Sequence, residues 1–176
     1  MIAFHIGTDP TGQRPFKNPG GAMLNYVSTT FGGQQAAAMM VASGAFERHP
    51  DLKVLISEGG ATWVPFLGDR LNEGHRQHFM FDEGRLRRSP KEYLMSHVYA
   101  SFQHDETAVP AFENMGYRNI MFGTDYPHAE GTYPHTQKVL RELLQAADPE
   151  TSYRIRIGAF LELFPSVGMP DALKAS

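Results

Sequence analysis

The chain has 176 residues, of which 41% are apolar, 11% aromatic and 20% charged, and this composition is typical of a soluble globular protein with one sizeable core. Sixteen Lys and Arg stand against nineteen Asp and Glu, for a net charge of -3, and no run of like charge indicates a nucleic-acid or membrane partner. Cysteine is absent, which excludes disulfides, Cys-ligated zinc and a thiol nucleophile. No apolar stretch approaches the roughly 20 residues of a membrane-spanning helix and no signal-peptide pattern opens the chain, so we expect a cytoplasmic protein.

The first half of the chain alternates strand and helix patterns. The apolar run at residues 2–6 ends at Gly7 and predicts a buried strand. Residues 8–33 are rich in Gly, Pro, Asn and Thr, and we predict a long loop there. Helical spacing of apolar residues follows at 34–49, and a second apolar strand is predicted at 52–56.

The second half continues the alternation. Helices are predicted at 61–72, 90–96, 107–115 and around 139–147, strands at 97–102 and 119–122, and a polar loop at 73–89. Asp148 and Pro149 supply a cap and a first-turn proline for a last helix. The apolar residues of that helix are predicted to share one face: Tyr153, Ile157, Phe160, Leu161 and Phe164.

This cadence is typical of parallel βα units in an α/β fold. Four strands make about half of a (β/α)8 TIM-type barrel, which needs eight strands and typically about 250 residues. We therefore predict a single domain over residues 1–176 with the architecture of half a barrel.

Polar residues follow each predicted strand, where parallel α/β folds place their functional sites. His5 ends the first strand, Glu58 follows the second, residues 103–105 (Gln-His-Asp) follow the third, and Asp125 and His128 follow the fourth. Nitrogen and oxygen ligands of this kind suit Zn²⁺ or Mn²⁺.

Each candidate also has a structural interpretation. His5 can be a hydrogen-bonded core residue, and Glu58 can cap the turn at residues 59–60 or accept backbone N–H groups of the next helix. Asp125 precedes a Tyr-Pro turn and can form an Asx turn. His128 can be a ligand, a proton shuttle or an exposed loop residue. The residues alone leave these alternatives open.

Three segments in order carry a family resemblance: residues 49–70 (HPDLKVLISEGGATWVPFLGDR), 89–93 (SPKEY) and 119–128 (NIMFGTDYPH). Together they resemble the amidohydrolase-related family that includes aminocarboxymuconate-semialdehyde decarboxylase and resorcylate-type decarboxylases. Residues 4–7 (FHIG) match the fifth strand of that family, so the resemblance covers nearly the whole chain. It implies a metal-dependent (β/α)8 barrel of which these strands are the fifth to eighth.

The resemblance also implies residue roles. His5 matches the fifth-strand metal-ligand histidine, and Asp125 matches the eighth-strand aspartate that binds metal and handles a proton. Glu58 stands where many relatives carry a sixth-strand histidine, so its role as ligand, base or structural residue stays open. The family's first-strand motif, which supplies one or two further ligands, has no counterpart in this sequence.

The function implied by the resemblance is a metal-dependent hydrolase or decarboxylase acting on a small carboxylated aromatic or unsaturated substrate, or on a lactone. Zn²⁺ is the expected ion and Mn²⁺ the alternative, with no organic cofactor. The assigned roles are catalysis for Asp125, Glu58 and His128, metal binding for His5, Asp125 and Glu58, and substrate binding for Arg14, Lys17 and His104, with the loop at 8–33 over the site. The alternative is a catalytically incomplete half-barrel that forms a homo-oligomer or pairs with a complementary N-terminal half.

Overall fold

Four parallel strands form the centre of the molecule, in a computed structural model that describes residues 1–7, 16–81 and 86–169. Each strand pairs with the next one along the chain, in the order β1-β2-β3-β4. The strands are β1 (Ile2–His5), β2 (Val54–Ser57), β3 (Val98–Phe102) and β4 (Ile120–Phe122). The predicted α/β class with a parallel sheet is confirmed.

Helices connect the strands, as parallel pairing requires. Those before β3 are α1 (Gly21–Ser28), α2 (Phe31–Ala42), α3 (Ala45–Arg48), α4 (Trp63–His78) and α5 (Pro90–His97). Those after β3 are α6 (Ala108–Met115), α7 (Thr136–Leu143), α8 (Pro149–Tyr153) and α9 (Ala159–Leu163). None of the described helices is long and apolar enough to cross a membrane.

Local sequence signals set several helix ends. A capping box starts α5, because the Ser89 hydroxyl accepts the Glu92 N–H while the Glu92 carboxylate accepts the Ser89 N–H. Asp148 caps α8 by accepting the Thr151 N–H. Gly116 ends α6 in the left-handed conformation, at φ 69°. These ends agree with the sequence patterns.

The main core lies between the sheet and the helices that cover one of its faces. Val54 and Ile56 of β2 and the matching residues of β3 and β4 point into it. It also contains Phe46 and Phe112, which are almost fully buried. Apolar burial of this extent is the principal stabilising contribution to such a fold.

The opposite sheet face carries a smaller cluster. Tyr99 and Met121 lie there against Ala159 and Leu163 of α9. A π-helical turn, Arg154–Gly158, connects α8 with α9 and shifts the helical phase. Consequently Ile155, Ala159 and Leu163 are buried. Of the five apolar residues predicted to share one face, Tyr153 and Phe160 are exposed, whereas the other three are half-buried: Ile157, Leu161 and Phe164.

Three other expectations need correction. The strand at residues 2–5 exists but is mostly exposed, because β1 lies at the edge of the sheet. The predicted loop at 8–33 contains α1 and the start of α2, and its residues 8–15 fall outside the described residues. The predicted loop at 73–89 begins instead with the last turns of α4 and a 3₁₀ turn, Phe79–Phe81.

Candidate metal centre

Four of the predicted site residues meet at the carboxyl ends of the strands. His5 ends β1 and is the register partner of Ser57, the residue before Glu58. One ligand atom from each of Glu58, Asp125 and His128 lies within 4.8 Å of the others. His5 Nε2 lies 2.9 Å from Glu58 Oε1, so the histidine of β1 contacts this group through Glu58.

The orientation of the His5 ring is fixed through its other nitrogen. His5 Nδ1 donates to the Ile6 carbonyl oxygen at 3.1 Å, which leaves Nε2 directed at Glu58. The Ile6 carbonyl, followed by the Glu58 carboxylate, raises the pKa of His5 above its usual value, against an opposing effect of burial. A histidine held by its Nδ1–H in this way is prepared to bind a metal ion through Nε2.

Asp125 and His128 form a second pair. His128 Nδ1 lies 2.9 Å from Asp125 Oδ1, and the Asp125 side chain is 5% exposed whereas that of His128 is 57% exposed. The His128 backbone N–H also donates to the Asp125 carbonyl oxygen, which keeps the two residues within one turn. The pair therefore connects a buried carboxylate with solvent through an imidazole.

Both carboxylate residues adopt a backbone conformation that favours glycine. Glu58 has φ 60° and Asp125 has φ 55°, and each such conformation costs on the order of 1–3 kcal/mol. At Asp125 the surrounding loop holds the conformation: the Thr132 N–H donates to the Thr124 carbonyl. A Cβ at Gly131 would lie 2.8 Å from the Thr124 and Asp125 carbonyl oxygens, so glycine is required at that contact.

The donor set fits a divalent cation. Zn²⁺ is bound by His nitrogens and carboxylate oxygens at about 2.0–2.2 Å, which places tetrahedral ligands roughly 3.5 Å from one another. The Glu58, Asp125 and His128 atoms lie within 4.8 Å of one another, and His5 Nε2 contacts the Glu58 carboxylate. Two imidazoles and two carboxylates also suit Mn²⁺.

The three predicted substrate-binding residues are not members of this group of ligand atoms in the described part of the chain. Arg14 falls outside the described residues, and Lys17 is exposed in the segment before α1. His104 Nε2 donates to the Glu130 carbonyl oxygen at 3.2 Å, in the loop that carries Asp125 and His128. His104 also lines a groove of about 660 Å³ between α6 and α7.

Sequence reasoning missed two contacts to the turn that carries Glu58. The Glu58 N–H donates to Ser101 Oγ at 2.9 Å, and the Ala61 N–H donates to Asp105 Oδ2 at 3.1 Å. Burial raises the pKa of Asp105, although the Ala61 N–H partly opposes this. Ser101 lies near the end of β3 and Asp105 follows that strand, but a single sequence carries no signal for which neighbouring turn they contact.

A family model described as amidohydrolase matches residues 2–159, and the match includes His5, Glu58, Asp125 and His128. The chain belongs to the amidohydrolase family. The resemblance seen in the sequence is thereby confirmed, and with it membership of a family of enzymes.

Relatives of known activity include decarboxylases. The chain is 33% identical over 97 residues to 2-amino-3-carboxymuconate-6-semialdehyde decarboxylase of Dictyostelium discoideum, a match that covers 54% of the chain and 27% of that protein. The curated relative is therefore much longer than the matched part.

Solved structures share the fold. An amidohydrolase from Mycobacterium avium subsp. paratuberculosis K-10 superimposes with a TM-score of 0.73 at 22% identity, over 92% of this chain and 41% of that one. Dihydroxybenzoic acid decarboxylase from Polaromonas sp. JS666, solved with manganese and the inhibitor 2-nitroresorcinol, gives a TM-score of 0.60 at 18% identity, over 80% of this chain and 42% of that one. This amidohydrolase-family chain thus spans about two fifths of the length of these structures.

Proposed function

We propose that this chain is the C-terminal half of a metal-dependent amidohydrolase-type barrel that decarboxylates a small carboxylated substrate. The observation that carries the proposal is the convergence of Glu58, Asp125 and His128 within 4.8 Å, with His5 on Glu58. Similarity to two decarboxylases supports this reaction over hydrolysis. The half-barrel assignment is supported by the sequential parallel order of the strands.

His5, Glu58, Asp125 and His128 are the residues that would hold the metal ion. When bound, a divalent ion supplies Lewis acidity that polarises a substrate oxygen. Zn²⁺ and Mn²⁺ both match the ligand types, and manganese is the ion in the related decarboxylase structure.

The chain's own residues move the proton. In decarboxylation the bond between the substrate carbon and its carboxylate breaks, CO₂ leaves, and that carbon gains one proton. The buried Asp125 carboxyl delivers this proton, and the exposed His128, 2.9 Å away, returns one from solvent. Hydrolysis at the same site would consume water and release no CO₂.

The proposed substrate class rests on the names of the relatives. Both decarboxylases act on unsaturated or aromatic acids by name, and we assign the same class to this chain. Arg14 and Lys17 are the proposed partners of the anionic substrate, since a cation pairs favourably with a carboxylate.

The test is CO₂ release from dihydroxybenzoate by the purified chain supplied with Mn²⁺ or Zn²⁺. Wild type is expected to release CO₂, and Asp125→Asn to lower kcat about 100-fold or more because the proton donor is lost. Asp51→Asn, at an exposed carboxylate before β2, is the matched control and is expected to keep wild-type activity. No CO₂ from wild type, or equal rates for Asp125→Asn and wild type, would contradict the proposal.

A second candidate function is association through β1. Within the described residues β1 pairs with β2 alone, and most of its residues are exposed. The Ile2 and Ile6 N–H groups donate to β2 and its extension, so the intervening Ala3 N–H group faces the open edge. An exposed edge of this kind accepts another strand, and a second copy of the chain is the proposed occupant.

Light scattering coupled to gel filtration tests this association. We expect an assembly for wild type and a monomer for Ala3→Pro, which removes an N–H from the open edge while leaving the donors to β2 in place. A wild-type monomer at micromolar concentration would contradict self-association. An Ala3→Pro assembly of unchanged size would place the contact elsewhere.

A further inference from the structure

The turn between β2 and α4 carries Glu58 and is held by side chains that lie outside it. Its first N–H, that of Glu58, donates to Ser101 Oγ at 2.9 Å. Its last, that of Ala61, donates to Asp105 Oδ2 at 3.1 Å. Both acceptors come from the end of the neighbouring strand β3 and the segment after it, so β3 fixes the two ends of the turn.

The middle of the turn is shaped to admit the Asp105 carboxylate. Gly60 has φ 68°, and a Cβ at this position would lie 2.9 Å from Asp105 Oδ2. A side chain at position 60 would therefore displace the carboxylate that accepts the Ala61 N–H. Gly59 is also confined, since its Cβ would lie 3.0 Å from Ile56 Cγ2.

Trp63 closes the turn from the helix side. Its indole Nε1–H donates to the carbonyl oxygens of Gly59 at 3.0 Å and Gly60 at 2.9 Å. The two β3-side acceptors and this indole together bind four backbone groups of residues 58–61. Glu58 keeps its left-handed backbone conformation inside this network, with its carboxylate on His5 Nε2.

We infer that Ser101 and Asp105 are positioning residues that hold the Glu58 turn so that the Glu58 carboxylate reaches His5, Asp125 and His128. Neither residue belongs to the ligand group itself, so both act through Glu58. The inference rests on the proposed function, because a fixed Glu58 carboxylate matters for catalysis only where it serves a metal ion.

The first experiment compares Mn²⁺ affinity by isothermal titration calorimetry for wild type, Ser101→Ala, Asp105→Ala and Asp105→Asn. Affinity is expected to fall at least tenfold in Ser101→Ala and Asp105→Ala. Asp105→Asn is expected to stay within threefold of wild type, because its amide oxygen still accepts the Ala61 N–H. Asp148→Ala is the control: Asp148 likewise accepts a backbone N–H at a helix start, but lies away from the site, so its Mn²⁺ affinity should not change.

A second readout needs no metal. Long-range ¹H–¹⁵N spectra report the His5 ring nitrogens, and amide exchange reports the Glu58 and Ala61 N–H groups. In Asp105→Ala the Nε2 resonance of His5 is expected to shift and amide exchange at Ala61 to accelerate at least tenfold, with neither change in Asp148→Ala.

The two readouts separate the possible failures. Wild type that binds no Mn²⁺ refutes the metal function, and the positioning role is then decided by the His5 resonance alone. An unchanged His5 resonance and unchanged Mn²⁺ affinity in Asp105→Ala overturn the inference. If circular dichroism shows that Asp105→Ala does not fold, Ser101→Ala, which removes one hydroxyl, decides in its place by the same criteria.

Discussion

Substitution of Gly60 by Ala separates the cost of a left-handed backbone from the cost of disturbing Asp105. Gly60 and Gly116 have nearly the same φ, 68° and 69°. A Cβ at Gly60 would lie 2.9 Å from Asp105 Oδ2, whereas a Cβ at Gly116 would have no atom within 4 Å. Gly116→Ala is therefore a control that carries the backbone cost alone.

The expected magnitudes follow from these environments. An L-residue in the left-handed region costs roughly 1–2 kcal/mol, so Gly116→Ala should lower the free energy of unfolding by about that amount. Gly60→Ala carries the same cost and also displaces the Asp105 carboxylate from the Ala61 N–H. Loss of a hydrogen bond to a charged group adds about 1.5–3 kcal/mol.

Urea unfolding followed by far-UV circular dichroism measures both variants. Gly60→Ala should be less stable than Gly116→Ala by the additional hydrogen-bond cost, and only Gly60→Ala should weaken Mn²⁺ binding. Equal losses of stability in the two variants would show that the Asp105 carboxylate moves aside for a side chain at position 60 without a further cost in stability. That result would contradict a close fit between this carboxylate and the turn.

Three further predictions address the core, the pH dependence and the substrate. Phe46 is 1% exposed and stacks on His97, so Phe46→Ala should lower the free energy of unfolding by about 3–5 kcal/mol. Phe66 is 67% exposed, and Phe66→Ala should change that free energy by less than about 0.5 kcal/mol. Similar losses in the two variants would contradict the assigned core. Burial lowers the pKa of His97, so near pH 6.5 this histidine binds a proton in the unfolded chain but not in the folded chain. Between pH 7.5 and pH 5.5 the urea midpoint should therefore fall less steeply in His97→Gln than in wild type. Parallel pH profiles of the two proteins would exclude His97 as the cause. Arg14→Ala should raise KM for a carboxylated substrate, and an unchanged KM would count against Arg14 as its partner.

The sheet could be predicted because short apolar runs bounded by turn residues identify parallel strands directly. The exposure of β1 could not be predicted, because an apolar run has the same pattern in a central strand and in an edge strand. The buried residues of the last helix could not be predicted for a different reason. The π-helical turn at Arg154–Gly158 changes the helical period midway, and a pattern search with a constant period does not follow that change.

Candidate site residues could be predicted where a histidine or a carboxylate residue ends or follows a predicted strand. That position and the family resemblance indicate His5, Glu58 and Asp125, and in the structure Glu58 and Asp125 lie with His128 while His5 contacts Glu58. The contacts of Ser101 and Asp105 with the Glu58 turn join residues more than forty positions apart. The register of β2 against β3 brings them together, and that register cannot be predicted from a single sequence.

Native mass spectrometry of the purified chain supplied with Zn²⁺ or Mn²⁺ decides whether His5, Glu58, Asp125 and His128 form one metal site. A single spectrum reports both the number of chains and the number of ions bound. We expect one ion per chain in wild type and in Asp51→Asn, and none in Asp125→Asn. A metal-free wild-type chain, or an ion retained by Asp125→Asn, would contradict a single site of these four residues.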